Sequence, residues 1–212
     1  MTNFIPIFPL GIVVYPGEQL NLHIFEPRYK QLIKECFELK KPFGIPAVIN
    51  DRMSEMGTLV TISEISKEYE DGKMDIKTQG LQVFKILEII HQLPEKLYSG
   101  AIVTYPPNNL SSSKKELMQA ILQGIREVYG RLNITKEFNR TDDELVSYDI
   151  AHHAGMSIDD EYLLLELMHE IQRLEFLKRH LANVLPVMLQ MDLLKGKIKL
   201  NGHFKNLQSF NL

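Results

Sequence analysis

Tyr105-Pro-Pro-Asn-Asn-Leu-Ser-Ser-Ser113 separates two regimes of sequence in this 212-residue chain. Its two prolines forbid helix, and its asparagines and serines favour turns and solvent, so the stretch reads as a linker. Upstream, from residue 4, short apolar runs are punctuated by Pro and Gly; downstream, from residue 113, apolar residues recur at helical spacing and proline nearly vanishes. A chain of this length can bury one large core or two modest ones, since domains commonly run to roughly 100–200 residues. The expectation is an α+β protein, with a strand-rich domain over 1–107 and a helical domain over 108–212.

In the upstream half, strands are predicted at 4–7, 12–14, 19–24, 43–49, 57–68, 73–79, 81–90 and 97–105. Glu70-Asp-Gly72 supplies an Asp-Gly turn, after which Met74, Ile76 and Thr78 alternate with Asp75 and Lys77 as a half-buried strand does. In the preceding strand the alternation slips between Ile62 and Ile65. That slip predicts a β-bulge and the curvature a closed barrel needs. One helix interrupts the strands, starting at Pro27, where the missing N–H costs nothing, and stopping before Pro42. Tyr29, Leu32, Ile33, Cys36 and Phe37 fall on one face of it, so it is expected to cap the barrel with that stripe.

Helix starts in the downstream half are marked by Ser113-Lys-Lys-Glu116, Thr141-Asp-Asp-Glu144 and Ser157-Ile-Asp-Asp160. Each sets a hydroxyl three residues before an acid, which satisfies free N–H groups and opposes the positive end of the helix dipole. Leu117, Ile121, Ile125, Val128 and Leu132 form one apolar stripe. Leu164, Leu167, Met168, Ile171, Leu174, Leu181, Val184 and Leu185 form a longer one, so helices pack on helices here. Pro186 interrupts that stripe, yet Val187, Met188, Met191, Leu194 and Ile198 resume the spacing, so the final helix is expected to be long, with a kink or short break. Gly202 to Leu212 lack periodicity and are expected to fray.

Several functional classes are disfavoured at this level. A net charge of −3 and a pI near 6.2 argue against a dedicated binder of the phosphate backbone, which needs a local excess of Lys and Arg. A single cysteine, Cys36, excludes an internal disulfide framework and fits a reducing compartment. The N-terminus lacks a basic region and carries Pro6 and Pro9, and no apolar run is long enough to span a bilayer, so the chain is expected in the cytoplasm. Glycosylation patterns at Asn109, Asn133 and Asn139 are then matters of chance.

Candidate chemistry is thin. His169-Glu-Ile-Gln-Arg173 starts like a zinc-protease helix but has Arg173 where the second histidine must stand, so it reads as one amphipathic helix. His152 and His153 point about 100° apart if helical, which suits packing or capping better than a shared metal. No phosphate-cradling Gly-rich loop with Lys and no Gly-x-Ser-x-Gly elbow occurs, and no cofactor or metal is expected. What remains is a binding surface: nine methionines, Met53 and Met56 among them, repack easily and can line a groove for flexible peptides, or simply be buried.

The run Ile5-Pro-Ile-Phe-Pro-Leu-Gly-Ile-Val-Val-Tyr-Pro-Gly17, followed by Leu22-His-Ile-Phe-Glu-Pro-Arg-Tyr29, closely resembles the opening of the Lon protease N-terminal domain family. Phe43-Gly-Ile-Pro46, Gly57-Thr-Leu59, Asp71-Gly72 and Gln79-Gly-Leu-Gln-Val-Phe-Lys-Ile86 match later landmarks in order. Ser147 to Ala151, Glu161 to Leu165 and Arg173 to Leu177 look like the helical extension that follows. The resemblance implies a PUA-like pseudo-β-barrel with one capping helix, then a helical domain, used to recognise protein substrates. Lon continues into an ATPase module and a protease with a serine–lysine dyad, and this sequence stops before either. The resemblance therefore implies a stand-alone, non-catalytic recognition or adaptor protein for unfolded or flexible polypeptides, with oligomerisation open. Glu26, Arg28 and Tyr29, with Met53 and Met56, are the candidate peptide-facing residues, although Glu26 and Arg28 can equally fix the helix start on the barrel. The alternatives are an accessory subunit of a separately encoded ATP-dependent protease, a small-molecule sensor and, ranked last, nucleic-acid binding by the barrel.

Overall fold

The computed structural model describes residues 2–111, 115–138 and 140–204. Strands β1 (Thr2–Pro6), β2 (Gln19–Ile24), β3 (Phe43–Ile49), β4 (Arg52–Glu68), β5 (Met74–Ile90) and β6 (Gly100–Thr104) form one antiparallel sheet, with helix α1 (Pro27–Glu38) between β2 and β3. The path runs β1-β6-β5-β4-β3, and β2 adds to the first half of β5. Beyond β1, Ile7 and Leu10 bridge to Gly44 and Ala47 of β3. The Phe8 N–H donates to the Gly44 carbonyl at 2.8 Å and the Val48 N–H to the Leu10 carbonyl at 2.7 Å, so the sheet closes on itself.

Curvature comes from bulges where the alternation slips: the β4–β5 register shifts between Ile62 and Glu64 and again between Ile65 and Lys67. The Asp-Gly hairpin is tied by Gly72 N–H to Tyr69 O at 2.8 Å, with Gly72 at φ +76°, a conformation glycine adopts without penalty. The residues expected to form two strands, 73–79 and 81–90, are one continuous β5, because Gly80 marks a crossing and not an end. A Cβ there would sit 2.2 Å from the Tyr15 carbonyl oxygen, so only glycine lets the 15–18 segment lie across the strand. The strand expected at 12–14, just ahead of that segment, is loop, with Val13, Val14 and Tyr15 buried. α1 starts with Pro27 in its first turn and buries Tyr29, Leu32, Ile33 and Cys36, whereas Phe37, expected on the same stripe, is 43 % exposed.

In the downstream half, α2 (Lys115–Leu132) packs on the first turns of α5 (Glu170–Phe204), with the short α3 (Ser147–Ile150), a 3-10 turn (Ala151–His153) and α4 (Ile158–Glu166) between them in sequence. Leu117, Ile121, Ile125 and Val128 are buried as the stripe requires; Leu132 at its end is exposed. Ser157 caps α4, its hydroxyl accepting from the Asp160 N–H at 3.2 Å. Thr141-Asp-Asp-Glu144 does not start a helix: Thr141 Oγ1 donates to the Glu144 carboxylate at 2.8 Å within a turn, and the helix begins only at Ser147. Ser113, the remaining expected cap, lies outside the described residues. So does the expected frayed end from residue 205 on; residues 202–204 are helical.

The stripe that runs through Leu164 to Leu185 is split. α4 ends at Glu166 and Leu167 is extended, so the stripe is interrupted before His169, and of the segment His169–Arg173, expected to be one amphipathic helix, Glu170–Arg173 is the start of α5. α5 then continues past Pro186 without a break. Its Leu174, Leu177 and Leu181 are buried, and Val187, Met191 and Leu194 are exposed. The apolar cluster of the helices takes in Val13 and Tyr15 from the loop before β2 and Ala47, Met56 and Val83 from the sheet, so one core crosses the join at 107 and 108. Among the described residues no helix is long and apolar enough to cross a membrane.

Candidate functional site

The join is built around one buried ion pair. Arg173 and Glu170, on the first turn of α5, are 0 % and 2 % exposed and 2.9 Å apart. Arg173 spends every N–H: Nε on Ser147 Oγ at 2.8 Å and Glu170 at 3.2 Å, Nη1 on Asn108 Oδ1 at 2.9 Å and the Leu167 carbonyl at 2.6 Å, Nη2 on the Asn109 carbonyl and Glu170, each at 2.9 Å. Glu170 accepts from the Ser147 N–H at 2.7 Å and its hydroxyl at 2.6 Å. The guanidinium also lies 4.2 Å from the Tyr148 ring centroid. This network explains the broken helix. The Asn109 N–H donates to Met168 O at 2.8 Å and Glu170 N–H to Asn109 O at 2.9 Å, so the linker itself supplies partners for the end groups of α4 and α5.

A second contact locks the sheet onto this layer. Tyr15 is fully buried, stacks on Tyr148 at 5.2 Å and donates its hydroxyl to the Glu161 carbonyl at 2.9 Å. Burial first, then the neighbouring carboxylates Glu161 and Glu18, raise its pKa far above the usual phenol range. The Tyr162 hydroxyl accepts from the Met56 N–H at 3.1 Å. Beside Tyr15, His152 bonds Glu161 at 2.8 Å and Glu18 at 3.2 Å. Burial alone would lower its pKa, but the bonds and charges of Glu161 and Glu18 outweigh it and hold the imidazole at about 9, so it is cationic at neutral pH. His153 behaves oppositely. Burial, then the positive charges of Lys136 and His152, push it down to about 4, and it is neutral against Tyr129 and Phe138.

Between these contacts lies a cleft of about 630 Å³. Pro16, Gly17, Glu18, Gln19 and Gln79 line it from the sheet; Lys136, Phe138, Arg140, Tyr148, Asp149, His152 and His153 are among its lining on the helical side. Both charge signs, amide groups and aromatic faces meet there, and Arg140 and Asp149 pair at 3.2 Å across its wall. Such a lining suits binding by hydrogen bonds and stacking. Among the described residues no group of three or more His, Cys, Asp or Glu is placed to hold a metal ion. Burial, with the Glu35 charge adding to it, pushes the Cys36 thiol up to about 12, which leaves it protonated and inert.

The residues singled out from sequence fall in three places. Glu26 flanks the start of α1, extended and without a side-chain capping bond, and pairs with Arg28 at 2.8 Å on the surface; Arg28 lies 4.4 Å from the Tyr29 ring centroid. Tyr29 itself is buried against Phe8, with ring centroids 3.9 Å apart. Met53 is half-buried beside Ile5, Ile7, Leu59 and Phe84, and Met56 is buried in the core shared with the helices. Glu26, Arg28 and Tyr29 are thus adjacent, the two methionines sit in separate apolar clusters, and none of the five lines the cleft. Glu18, Lys136 and Arg140 carry no motif that marks them from the sequence, whereas Gln79 opens one family landmark and Pro16-Gly17 closes another.

An antiparallel sheet closed by the Ile7 and Leu10 bridges and packed against a helical layer defines an α+β fold. The family model of the ATP-dependent protease La (LON) substrate-binding domain matches residues 5–183, and the chain belongs to that family. Among solved structures, a Lon N-terminal domain protein from Xanthomonas campestris is similar, with a TM-score of 0.61 and 19 % identity over 82 % of this chain and 95 % of that one. The N-terminal domain of the Mycobacterium avium complex Lon protease gives a TM-score of 0.65 with 14 % identity over 86 % of this chain and 100 % of that one. At such identities the likeness is one of fold.

Proposed function

We propose that this chain recognises unfolded or flexible polypeptides, as a substrate-recognition or adaptor protein without catalysis of its own. The observation that carries the reading is the membership of a substrate-binding family together with a cleft walled by both halves of the chain. On this reading the closed sheet is a PUA-like pseudo-barrel, residues 1–107 and 108–212 act as two domains joined by the Arg173 network, and Glu26 and Arg28 belong to the outer binding surface with Tyr29 as their support. Met53 and Met56, in separate apolar clusters, then serve as repackable residues behind other parts of the binding surface. The test is fluorescence anisotropy with labelled, reduced and carboxymethylated lactalbumin, a permanently unfolded chain. Saturable binding that Phe138→Ala or Arg140→Ala weakens supports the reading; no binding to this or any native protein overturns it.

The cleft volume of about 630 Å³ also falls within the roughly 300–1,000 Å³ of small-molecule sites, which favours a sensor as the second reading. A metabolite panel read by thermal shift separates the two. A defined compound that raises the melting midpoint, in a protein that ignores the unfolded chain, makes it a sensor.

A further inference from the structure

Strand β2 has a ladder partner on one side only. Among the described strands the others are bonded along two sides over at least part of their length or closed by the Ile7 and Leu10 bridges, β4 being one-sided from Thr61 on, whereas β2 pairs with β5 alone over its whole length. Which of its backbone groups face outward follows from register. The Gly80 N–H donates to the Glu18 carbonyl at 2.8 Å, and the pairing continues unbroken from Gln19 opposite Gln79 to Ile24 opposite Met74. In an antiparallel ladder bonded and non-bonded pairs alternate, so Leu20, Leu22 and Ile24 bond to β5. Gln19, Asn21 and His23 turn their N–H and C=O groups to the open edge, and among the described residues no backbone group of another segment meets them.

Folded proteins commonly guard such an edge with Lys, Pro or a bulge. β2, Gln-Leu-Asn-Leu-His-Ile, has none of these within it. Its apolar residues turn inward and the outward-facing Gln19, Asn21 and His23 are exposed. One end of the edge opens into the cleft, since Gln19 lines it together with Gly17 and Glu18. At the other end Phe25 is 57 % exposed, 6.2 Å from the His23 ring by centroids. A row of unmet main-chain groups, a cleft at one end and an aromatic side chain at the other fit one kind of guest.

The geometry points to β2 as a strand-addition site, at which an extended stretch of polypeptide pairs with Gln19, Asn21 and His23 and passes into the cleft. The site rests on the polypeptide-binding reading and deepens it. Main-chain pairing is indifferent to the guest's side chains, which suits recognition of unfolded segments of varied sequence. A strand of six residues spans about 20 Å, enough for a guest to reach from Phe25 to the cleft.

The experiment exploits the outward direction of the Asn21 N–H. Asn21→Pro deletes that donor without touching a β5 bond, and proline is tolerated on an edge whose N–H faces solvent. With labelled, carboxymethylated lactalbumin as probe, Asn21→Pro is expected to bind about tenfold more weakly while Asn21→Ala, which keeps the N–H, binds as the wild type does. In wild-type protein, hydrogen exchange at Gln19, Asn21 and His23 should slow when the probe is added. Equal binding by both variants together with unchanged exchange overturns strand addition and leaves the polypeptide reading intact. No binding by the wild type removes both. Concentration-dependent dimerisation that protects these amides without probe makes the occupant a second copy and likewise overturns the proposal. Should Asn21→Pro fail to fold, the exchange measurement decides alone.

Discussion

The sheet and the helical layer bury polar groups in contrasting ways. In the sheet the buried polar side chains among the described residues are Thr58 and Thr78, whose hydroxyls donate to the carbonyls of Val14 and Leu20. In the helical layer they are Ser147, Glu170 and Arg173, a charged network that gathers the linker, α3, the end of α4 and the start of α5. Strand ladders satisfy their own backbone, so the sheet needs only occasional hydroxyls. Helix ends leave carbonyls and N–H groups without partners, and where several ends meet inside a core, side chains must supply them. The helical layer therefore depends on a few residues in a way the sheet does not.

Removing Arg173 is the hardest test of that contrast. Arg173→Met leaves Glu170 buried and unpaired and is expected to cost about 3–5 kcal/mol in urea unfolding. Hydrogen exchange should show α2 and the start of α5 losing protection ahead of β3, β4 and β5. Uniform loss across both halves would mean they unfold as one unit. The double change Glu170→Leu with Arg173→Met removes both charges, and recovery of much of the stability is the expected result.

Thr58→Val is the matching change in the sheet. It leaves the Val14 carbonyl without its donor and is expected to cost about 1–3 kcal/mol in the same measurement, less than Arg173→Met. A cost equal to that of Arg173→Met would erase the distinction between the halves.

The smallest expected effect is a pH dependence at the boundary, because His152 is partly solvated and water screens its pairs. Its folded pKa of about 9 lies above the ordinary 6.5. The stability it contributes is therefore full below pH 6.5 and is lost as pH rises through about 9. His153, depressed from 6.5 to about 4, contributes above pH 6.5 and loses that contribution as pH falls through about 4. Melting midpoints of His152→Gln followed against pH should lack the alkaline decline of the wild type and keep the acid one. An unchanged alkaline limb would remove His152 from the junction.

Much of the sheet is legible in the sequence because its rules are local. The Asp71-Gly72 turn, the slip in alternation at Ile62 to Ile65 and the Pro27 helix start each depend on a few adjacent residues, and each appears where those residues stand. The failures have non-local causes. Gly80 looks like a strand break until Tyr15 is seen lying across it, and the stripe from Leu164 looks unbroken until Asn109 is seen bridging to His169. The cleft was hidden for the same reason: Glu18, Gln79, Arg140 and His152 are brought together by folding across more than a hundred residues.

Alternation, turn chemistry and capping place most of the strands and helices, because those preferences act within a few residues of the chain, and they fail at 12–14 and at Thr141, where packing between distant segments decides. Composition and spacing also give the α+β order and the apolar faces. Only the tertiary structure decides that Arg173 is a buried linchpin and not a surface residue, that of two neighbouring histidines one is held charged and the other neutral, and that β2 keeps an open edge beside a cleft. Burial, ion pairing and strand neighbours are properties of distant segments meeting, and no local pattern encodes them.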